Sequence, residues 1–171
     1  NGRAWFETPN GLNARYLQSN FYVTDENATP LAFNDGLSSL DRHATSNFQV
    51  REGKLYAVTV SRSLMNEPRL LLRWDLTTLT RDEEWSLEVP DTTQAFAVGD
   101  TAVLISHNNA KEKYTAIDLA TGFPRFTYTV PVQNNMNDRT MVVEGDVVWT
   151  TGQFNSNAGQ HAVVRLDNLD V

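Results

Sequence analysis

The sequence predicts an all-β fold built from repeated antiparallel units of short strands. Gly53, Gly99 and Gly145 each separate two apolar-rich runs, and their spacings are 99 − 53 = 46 and 145 − 99 = 46 residues. Two short runs joined by a glycine turn are typical of a β-hairpin, because glycine tolerates positive φ. The return of this pattern at a fixed spacing predicts a repeated structural unit.

Two further markers follow the hairpins. Aliphatic residues lead into Asp75, Asp118 and Asp167, where an aspartate can accept hydrogen bonds from the turn backbone and end a strand. Strands that open on an aromatic residue and close on proline are predicted at Trp85–Pro90 and Phe126–Pro131, since proline needs no ladder partner at a strand end. Each unit of 46 residues therefore holds four strands, which matches one blade of a β-propeller.

We therefore predict a β-propeller, or a segment of one, with about three to four four-stranded antiparallel blades. Three repeats are expected at residues 46–91, 92–138 and 139–171, the last lacking its outer strand unless Gly2–Pro9 supplies it. Residues 1–45 are expected to form divergent N-terminal strands and a partial blade or cap. The alternative is an antiparallel β-sandwich with coincidental repeats.

Short motifs carry a family resemblance. The stretch Asp118–Gly122 (DLATG), followed by Arg125-Phe126, resembles the repeat of quinoprotein-type, or PQQ-like, propellers. Trp74-Asp75 also resembles the Trp-Asp ending of WD40 strands, but the Gly-His dipeptide of that family does not occur. The resemblance implies a propeller fold over about residues 45–171. It also implies that a quinone would need several complete blades around it, so we expect no cofactor here.

Composition narrows the classes of partner. The formal charge of −7 opposes non-specific attraction to nucleic acid or to anionic membranes. No apolar run approaches the roughly 18 residues of a membrane span. The chain has no cysteine, so disulfides and thiolate chemistry are excluded. Abundant Asn, Ser and Thr beside short β-rich runs indicate a secreted, periplasmic or surface-exposed protein.

No catalytic signature is present. His43, His107 and His161 are expected in polar turns, without the regular spacing of a metal site. The three repeated aspartates are better explained by turn capping than by glycoside hydrolysis, and Glu83-Glu84 is expected in a turn. No serine elbow or glycine-rich phosphate loop occurs. We predict no catalytic residue and no metal ligand, with calcium near Asp25–Asn27 or Asn34–Gly36 as the alternative.

The tryptophans are expected in packing rather than in ligand contact. Trp74 and Trp149 lie within predicted strands and Trp85 begins one, so packing between blades is the default interpretation. Phe123 and Phe154 lie among turn residues and are candidate exposed aromatics for ligand contact.

Polar connections on one propeller face form the candidate recognition site. In a propeller, connections between the second and third strands emerge on the same face as connections between blades. They are predicted at residues 61–68, 91–94, 106–112, 133–139 and 152–160. These segments differ between repeats, which is typical of loops that carry recognition. The candidate ligand-binding residues are Asn66, Glu67, His107, Asn108, Asn109, Asn134, Asn135, Asn137, Phe154 and Asn155.

The sequence thus predicts a non-catalytic binding or assembly module of an exported or surface protein, recognising a protein or a glycan. One alternative is a structural segment that completes a larger propeller or an oligomer, with other copies or a larger parent chain covering its open strand edges. Another is a hydrolase or quinoprotein-like enzyme, which the missing signatures disfavour. Neither nucleic acid nor a membrane span is predicted.

Overall fold

The structure is a computed structural model that describes residues 5–7, 13–17, 20–27, 29–31, 33, 36–64, 66–109, 111–129, 140–144, 147–152 and 160–165. Every element of regular secondary structure assigned within these ranges is a β-strand. The chain divides into two compact units, residues 1–89 and 90–171.

The first unit holds two four-stranded antiparallel sheets. The first sheet contains β1 (Trp5–Glu7), β2 (Asn13–Leu17), β3 (Asn20–Thr24) and β4 (Pro30–Leu31), in the order β1-β2-β3-β4. The second contains β5 (Arg42–Arg51), β6 (Lys54–Ser61), β7 (Arg69–Asp75) and β8 (Thr80–Val89), in the order β5-β6-β7-β8.

The second unit holds a four-stranded and a three-stranded sheet. The third sheet contains β9 (Thr93–Val98), β10 (Ala102–Asn109), β11 (Lys111–Asp118) and β12 (Pro124–Thr129). The fourth contains β13 (Thr140–Glu144), β14 (Val147–Gly152) and β15 (Gln160–Arg165). In every sheet each strand pairs with its neighbour in sequence. This up-and-down order is the one expected of propeller blades.

The N-terminal strand belongs to the first sheet and not to the last repeat, where it was considered as an outer strand. Gly2–Pro9 was a candidate outer strand for the last repeat, but Trp5–Glu7 pairs with Asn13–Leu17 in the first sheet. A short connection between two antiparallel strands favours pairing with the immediate neighbour, because loop closure is least costly there.

The glycine turns agree with the prediction at one position and not at another. Between β5 and β6, Glu52 (φ 49°) and Gly53 (φ 71°) form a two-residue hairpin turn with positive φ at both positions. Between β9 and β10, the Gly99 N–H donates to the Ala102 carbonyl at 2.8 Å, and Gly99 has no positive φ. Residues 100 and 101 form that tip instead, so the prediction is wrong there. Gly145 lies outside the described residues.

The core of the first unit joins its two sheets. Trp74 is fully buried, and its ring lies 5.7 Å from that of Phe21 on β3. Phe21 also meets the ring of Phe48 on β5, edge to face, at 5.7 Å. Leu37, Leu55, Leu72, Leu76, Ala44 and Ala57 complete the cluster. The predicted packing role of Trp74 is therefore confirmed.

The second strands of two sheets are buried on both faces. Residues 55–59 of β6 and 102–106 of β10 are all buried, without the alternation of buried and exposed positions that a half-buried strand shows. A strand covered on both faces needs no polar side, and small or apolar residues such as Ala57 and Val103 satisfy this condition.

The outer strand β8 begins five residues earlier than expected. It starts at Thr80 rather than Trp85, so Glu83 and Glu84 are exposed strand residues and the predicted turn there is wrong. The pairing jumps from Leu72–Ser86 to Trp74–Arg81, which leaves a wide bulge in β8.

Side chains fill that bulge. The Arg73 guanidinium lies 4.9 Å from the centre of the Trp85 ring, and its Nε donates to the Asp82 carboxylate at 3.1 Å. The Tyr56 and Trp85 rings meet edge to face at 5.6 Å. Trp85 thus packs within its own sheet, where the cation and the second ring hold it.

The aspartate turns are confirmed where the structure describes them. Asp75 Oδ1 accepts the N–H groups of Thr77 at 2.7 Å and Thr78 at 3.1 Å. Asp118 Oδ1 accepts those of Ala120 at 2.9 Å and Thr121 at 2.8 Å. Asp167 lies outside the described residues.

A third turn of the same kind was not predicted. Asp25 follows β3, and its Oδ1 accepts the N–H groups of Asn27 at 2.9 Å and Thr29 at 2.8 Å. The first sheet therefore shares the turn chemistry of the later ones. Asp25 was considered above only as a calcium ligand, and its oxygen serves this turn.

These turns predict acid sensitivity. Hydrogen bonding by Lys54 and then by the Thr77 and Thr78 amides lowers the pKa of Asp75 from 3.8 to about 2. The Thr121 amide and then Arg125 lower the pKa of Asp118 from 3.8 to about 2. Because the folded pKa values are depressed, their stabilisation is present above about pH 5 and is lost as the pH falls towards 2.

We expect Asp75→Asn and Asp118→Asn together to flatten the fall in unfolding free energy between about pH 5 and pH 2. Asparagine keeps the oxygen that accepts the turn amides but does not titrate. Urea unfolding at each pH measures the effect, and Asp91→Asn, in the exposed connection after β8, is the control. An unchanged pH slope in the double variant would contradict the assignment.

Candidate functional site

The connections at one end of the second sheet form the best-defined candidate site. Arg42 pairs with Ser61, and Arg69 pairs with Val89. The start of β5, the end of β6 and the start of β7 therefore lie at the same end of the sheet. We call residues 36–41 and 61–68 the loop end of this sheet. We predicted that the connection between the second and third strands and the connection between blades emerge on the same side. This prediction is confirmed for this sheet.

A buried arginine holds the loop between β6 and β7. The Arg42 side chain is only 6% exposed, and its Nε donates to the Thr59 hydroxyl at 3.0 Å. Its Nη2 donates to the carbonyls of Thr59 and Pro68, and its Nη1 donates to Glu67 Oε2 at 3.3 Å. The Thr59 hydroxyl in turn donates to the Leu70 carbonyl at 3.1 Å. One guanidinium therefore fixes both the stem and the far side of the loop.

The backbone around Arg42 joins the two segments of the loop end. Its N–H donates to the Leu37 carbonyl at 2.9 Å, and its carbonyl accepts from Arg62 Nε at 2.8 Å. The Arg62 N–H donates to the Asp41 carbonyl at 2.8 Å, and the Ser63 hydroxyl donates to the Asp41 carboxylate. Residues 36–41 and 61–64 are thus bonded into one surface.

The charges explain why this loop keeps its shape. Burial lowers the pKa of Arg42, and the opposing charge of Glu67 raises it. The group stays protonated, because an arginine guanidinium does not lose its proton in proteins. Moving the loop would remove acceptors from a buried cation, which is costly. The loop is therefore preorganised, which reduces the entropy lost when a ligand binds.

The loop end presents apolar and polar groups to solvent. Leu64 is 57% exposed and Leu40 is 37% exposed. Asn66 and Glu67, which follow Leu64 closely in sequence, are exposed as well. The Ser61 hydroxyl accepts the Leu64 N–H at 3.1 Å, which fixes the backbone that carries the leucine. Such a surface can bury aliphatic carbon and exchange hydrogen bonds with a partner.

Of the predicted binding residues, Asn66 and Glu67 lie in this loop, and Glu67 also serves as the partner of Arg42. His107, Asn108 and Asn109 are the last three residues of β10, paired with Lys113, Glu112 and Lys111. Asn134, Asn135, Asn137, Phe154 and Asn155 lie outside the described residues. These five stay predictions.

The expected long loop at residues 106–112 is wrong. β10 continues to Asn109 and β11 begins at Lys111, so this segment is the end of a hairpin. Polar residues do not interrupt a strand, because the ladder is made by the backbone. The backbone of the three polar residues therefore belongs to β10.

The sequence did not reveal the role of Arg42. Its partners Thr59, Glu67 and Pro68 lie 17, 25 and 26 residues away, and only the sheet register brings them together. No local motif marks such an arrangement.

The described residues show neither a metal cluster nor a membrane helix. His43, His107 and His161 lie in β5, β10 and β15 rather than in turns, which corrects the prediction. Within the described ranges, no group of three or more His, Asp and Glu side chains is placed to hold a metal ion. The same ranges contain no helix long and apolar enough to cross a membrane.

Comparison with known proteins identifies the fold. No protein-family model matches the chain, and no curated protein matches it. The Dos1 propeller matches with a TM-score of 0.56 and 17% identity, over 98% of this chain and 45% of that one. The Neurospora crassa Pan2 WD40 domain gives 0.59 and 14%, over 98% and 49%. Kuenenia stuttgartiensis hydrazine synthase gives 0.60 and 13%, over 97% and 54%.

The chain has a propeller-type fold. The all-β propeller prediction is confirmed over its sandwich alternative. At these identities the likeness concerns the fold alone. The chain spans about half the length of the solved structures it matches.

Proposed function

We propose that the chain is a non-catalytic binding module that recognises a protein or a glycan through the connections at one end of its sheets. The observation that carries the proposal is the loop held by buried Arg42, which presents exposed Leu64, Asn66 and Glu67 from a fixed backbone. A scaffold with one preorganised, exposed connection is suited to recognition. The proposed setting is exported or surface-exposed, and no cofactor takes part.

The pKa values of three aspartates support a structural role for these groups over the role of a catalytic acid. A glycosidase needs one carboxyl group that stays protonated to act as an acid. Asp75 and Asp118 have pKa values lowered to about 2, and their turns lie at the strand ends opposite the Arg69 and Lys111 ends of the same strands. The Arg73 ion pair likewise lowers the pKa of Asp82. These three groups are structural anions.

The test is a binding screen with a loop variant. The probes are a glycan array and a phage library that displays genome fragments of the organism encoding the chain. We expect Leu64→Ser combined with Asn66→Ala to weaken binding of any selected glycan or fragment by about 10-fold or more. Thr77→Ala, in the exposed turn at the opposite end of the sheet, is the matched control and should leave binding unchanged.

Two outcomes would contradict the proposal. One is the absence of any glycan or fragment that binds the wild-type chain. The other is binding that the loop variant and the Thr77→Ala control leave equally intact. Both variants alter exposed positions, so their melting temperatures are expected to stay within about 2 °C of wild type.

A structural role is the second candidate. It is supported by the chain's spanning about half the length of the propeller structures it matches. In that role, the chain completes a propeller with further blades supplied by another copy or by a longer parent chain. Sedimentation equilibrium from nanomolar to micromolar concentration tests the first form, and a monomer throughout would exclude association with other copies.

A further inference from the structure

The exposed side chain of Arg62, at the loop end of the second sheet, is held in one direction. Its Nε donates to the Arg42 carbonyl at 2.8 Å, and its own N–H donates to the Asp41 carbonyl at 2.8 Å. An exposed arginine ordinarily keeps much of its rotamer freedom, but this hydrogen bond restricts the guanidinium. Arg62 is therefore anchored through the same residue that anchors the loop.

The two terminal nitrogens of Arg62 carry donors that the described part of the chain does not use. Arg42, Arg73 and Arg125 each pair with a carboxylate. Arg62 bonds through Nε to a carbonyl instead, and its Nη1 and Nη2 donate to no residue that the structure describes. Because Nε is occupied, the end of the guanidinium remains, where two parallel N–H groups match the two oxygens of one carboxylate.

The acidic residues of the loop end are engaged elsewhere. Glu67 pairs with Arg42 at 3.3 Å, and the Asp41 carboxylate accepts the Ser63 hydroxyl. Within the described ranges, neither carboxylate forms an ion pair with Arg62. An exposed cation that is fixed in place and has donors to spare is complementary to a negative group on a ligand.

Two exposed aliphatic side chains lie close to this cation along the bonded backbone. Leu64 follows Arg62 by two residues and is 57% exposed. Leu40 is 37% exposed and directly precedes Asp41, whose carbonyl accepts the Arg62 N–H. The Leu64 carbonyl accepts the Glu67 N–H at 3.4 Å, so the backbone that carries this leucine is held in a turn. A ligand bound to the guanidinium can therefore also place apolar carbon on the leucines.

The charge distribution favours a ligand with a single carboxylate over a polyanion. The chain carries a formal charge of −7, which repels a sulfated glycan or a nucleic acid, and a polyanion needs several cations at its site. A sugar acid would supply one carboxylate, but it would place hydroxyl groups against the leucines, where they would lose water without gaining partners. A peptide with an acidic side chain next to an aliphatic one matches both features of this surface.

We propose that the loop end recognises a peptide segment of a protein partner, in which one Asp or Glu pairs with the terminal nitrogens of Arg62 and a neighbouring aliphatic side chain packs on Leu64 and Leu40. This inference rests on the function proposed above and narrows its ligand from a protein or a glycan to an acidic, aliphatic peptide. The restricted guanidinium loses little conformational entropy on binding, and a bidentate pair adds directionality to affinity.

The first test changes Arg62 and uses the phage-displayed genome fragments described above as probes. We expect Arg62→Gln to raise the dissociation constant of at least one selected fragment by about 10-fold or more, because the charge and the paired donors are lost. Arg62→Lys keeps the charge but not the planar fork, so it should recover only part of the affinity. Asn27→Asp, in the exposed turn after β3, changes the net charge by the same amount as Arg62→Gln and should leave binding unchanged.

The second test changes the fragment and leaves the chain intact. We expect one acidic residue of the selected fragment whose replacement by its amide raises the dissociation constant by about 10-fold or more. The same replacement should have little further effect on binding to the Arg62→Gln chain, because both changes remove one ion pair. The melting temperature of Arg62→Gln is expected to stay within about 3 °C of wild type, since the side chain is exposed. The fragment variant bound to the wild-type chain tests the carboxylate whatever that temperature is.

Each remaining outcome overturns the inference. If the selected fragments depend on Leu64 and Asn66 but not on Arg62, the proposed function stands and the acidic peptide is rejected. If the effects of the fragment variant and of Arg62→Gln add, the carboxylate does not meet Arg62, and the inference is rejected as well. If Arg62→Gln weakens binding of anionic glycans on the array and of no fragment, the partner is a sugar acid and the peptide is wrong. If neither a glycan nor a fragment binds the wild-type chain, the proposed function and this inference fail together.

Discussion

Replacing Trp74 with alanine is expected to lower the free energy of unfolding of the first unit by about 3–5 kcal/mol. Trp74 is fully buried, and its ring contacts Phe21, so the substitution removes the contact between β7 and the first sheet. The remaining cluster members lie on strands with fixed pairing and can close the cavity only in part. Guanidinium unfolding, followed by circular dichroism, measures the loss.

Trp85→Ala provides the matched control. Trp85 is the same residue type in the same sheet but is only half-buried, with Tyr56 and Arg73 as its contacts. We expect a cost of about 1–2 kcal/mol, since part of its surface is already in water. Equal losses in the two variants would show that the core does not join the two sheets through Trp74.

Local chemistry explains what the sequence could reveal about the fold. The turn at Gly53 needs positive φ, and the turns at Asp75 and Asp118 need a side-chain acceptor. Each requirement is met by a particular residue type at a particular place, so it leaves a visible mark. Such marks, together with the 46-residue spacing of the three glycines, predicted four-stranded units.

Features that depend on pairing between strands were not visible in the local sequence. Nothing local shows that β10 and β11 continue to pair through residues 107–113, or that β8 bulges opposite Arg73. The burial of both faces of β6 depends on what covers the sheet rather than on its own alternation. Asp25 was missed because it lies in residues 1–45, which do not carry the glycine repeat of 46 residues.

The candidate site was predictable only in outline. The loop at residues 61–68 was visible as a polar connection containing Asn66 and Glu67. The group that orders it, Arg42, precedes that loop by a whole hairpin. A charged residue at the start of a strand is ordinarily exposed, and the sequence gives no sign that this one is buried.

Replacing Arg42 with leucine is expected to lower the free energy of unfolding by about 2–3 kcal/mol. The substitution leaves the Thr59 and Pro68 carbonyls without their donor and removes the counter-charge of Glu67. Because the Glu67 side chain is 41% exposed, water can solvate it again, which keeps the loss below that of a fully buried pair.

Glu67→Gln separates the contribution of the ion pair from the contribution of the hydrogen bonds that Arg42 donates to carbonyls. Losing the ion pair alone should cost less than about 1 kcal/mol, because one partner is exposed, and glutamine can still accept a hydrogen bond from Nη1. A large loss in Glu67→Gln, matching that of Arg42→Leu, would show that the charge pair rather than the carbonyl contacts holds the loop.

Hydrogen exchange then tells loop order from global stability. The Arg62 and Leu64 amides are bonded at the loop end to the Asp41 carbonyl and the Ser61 hydroxyl. The Thr77 and Thr78 amides are bonded at the opposite end of the same sheet. In Arg42→Leu, we expect the exchange rates of the Arg62 and Leu64 amides to increase about 10-fold more than the exchange rates of the Thr77 and Thr78 amides. The reason is that local opening of the loop precedes global unfolding.

An equal acceleration at both ends would mean that Arg42 stabilises the whole sheet and leaves the loop no more preorganised than any other connection. A selective acceleration, accompanied by weaker binding of the selected glycan or fragment, would tie the order of this loop directly to recognition.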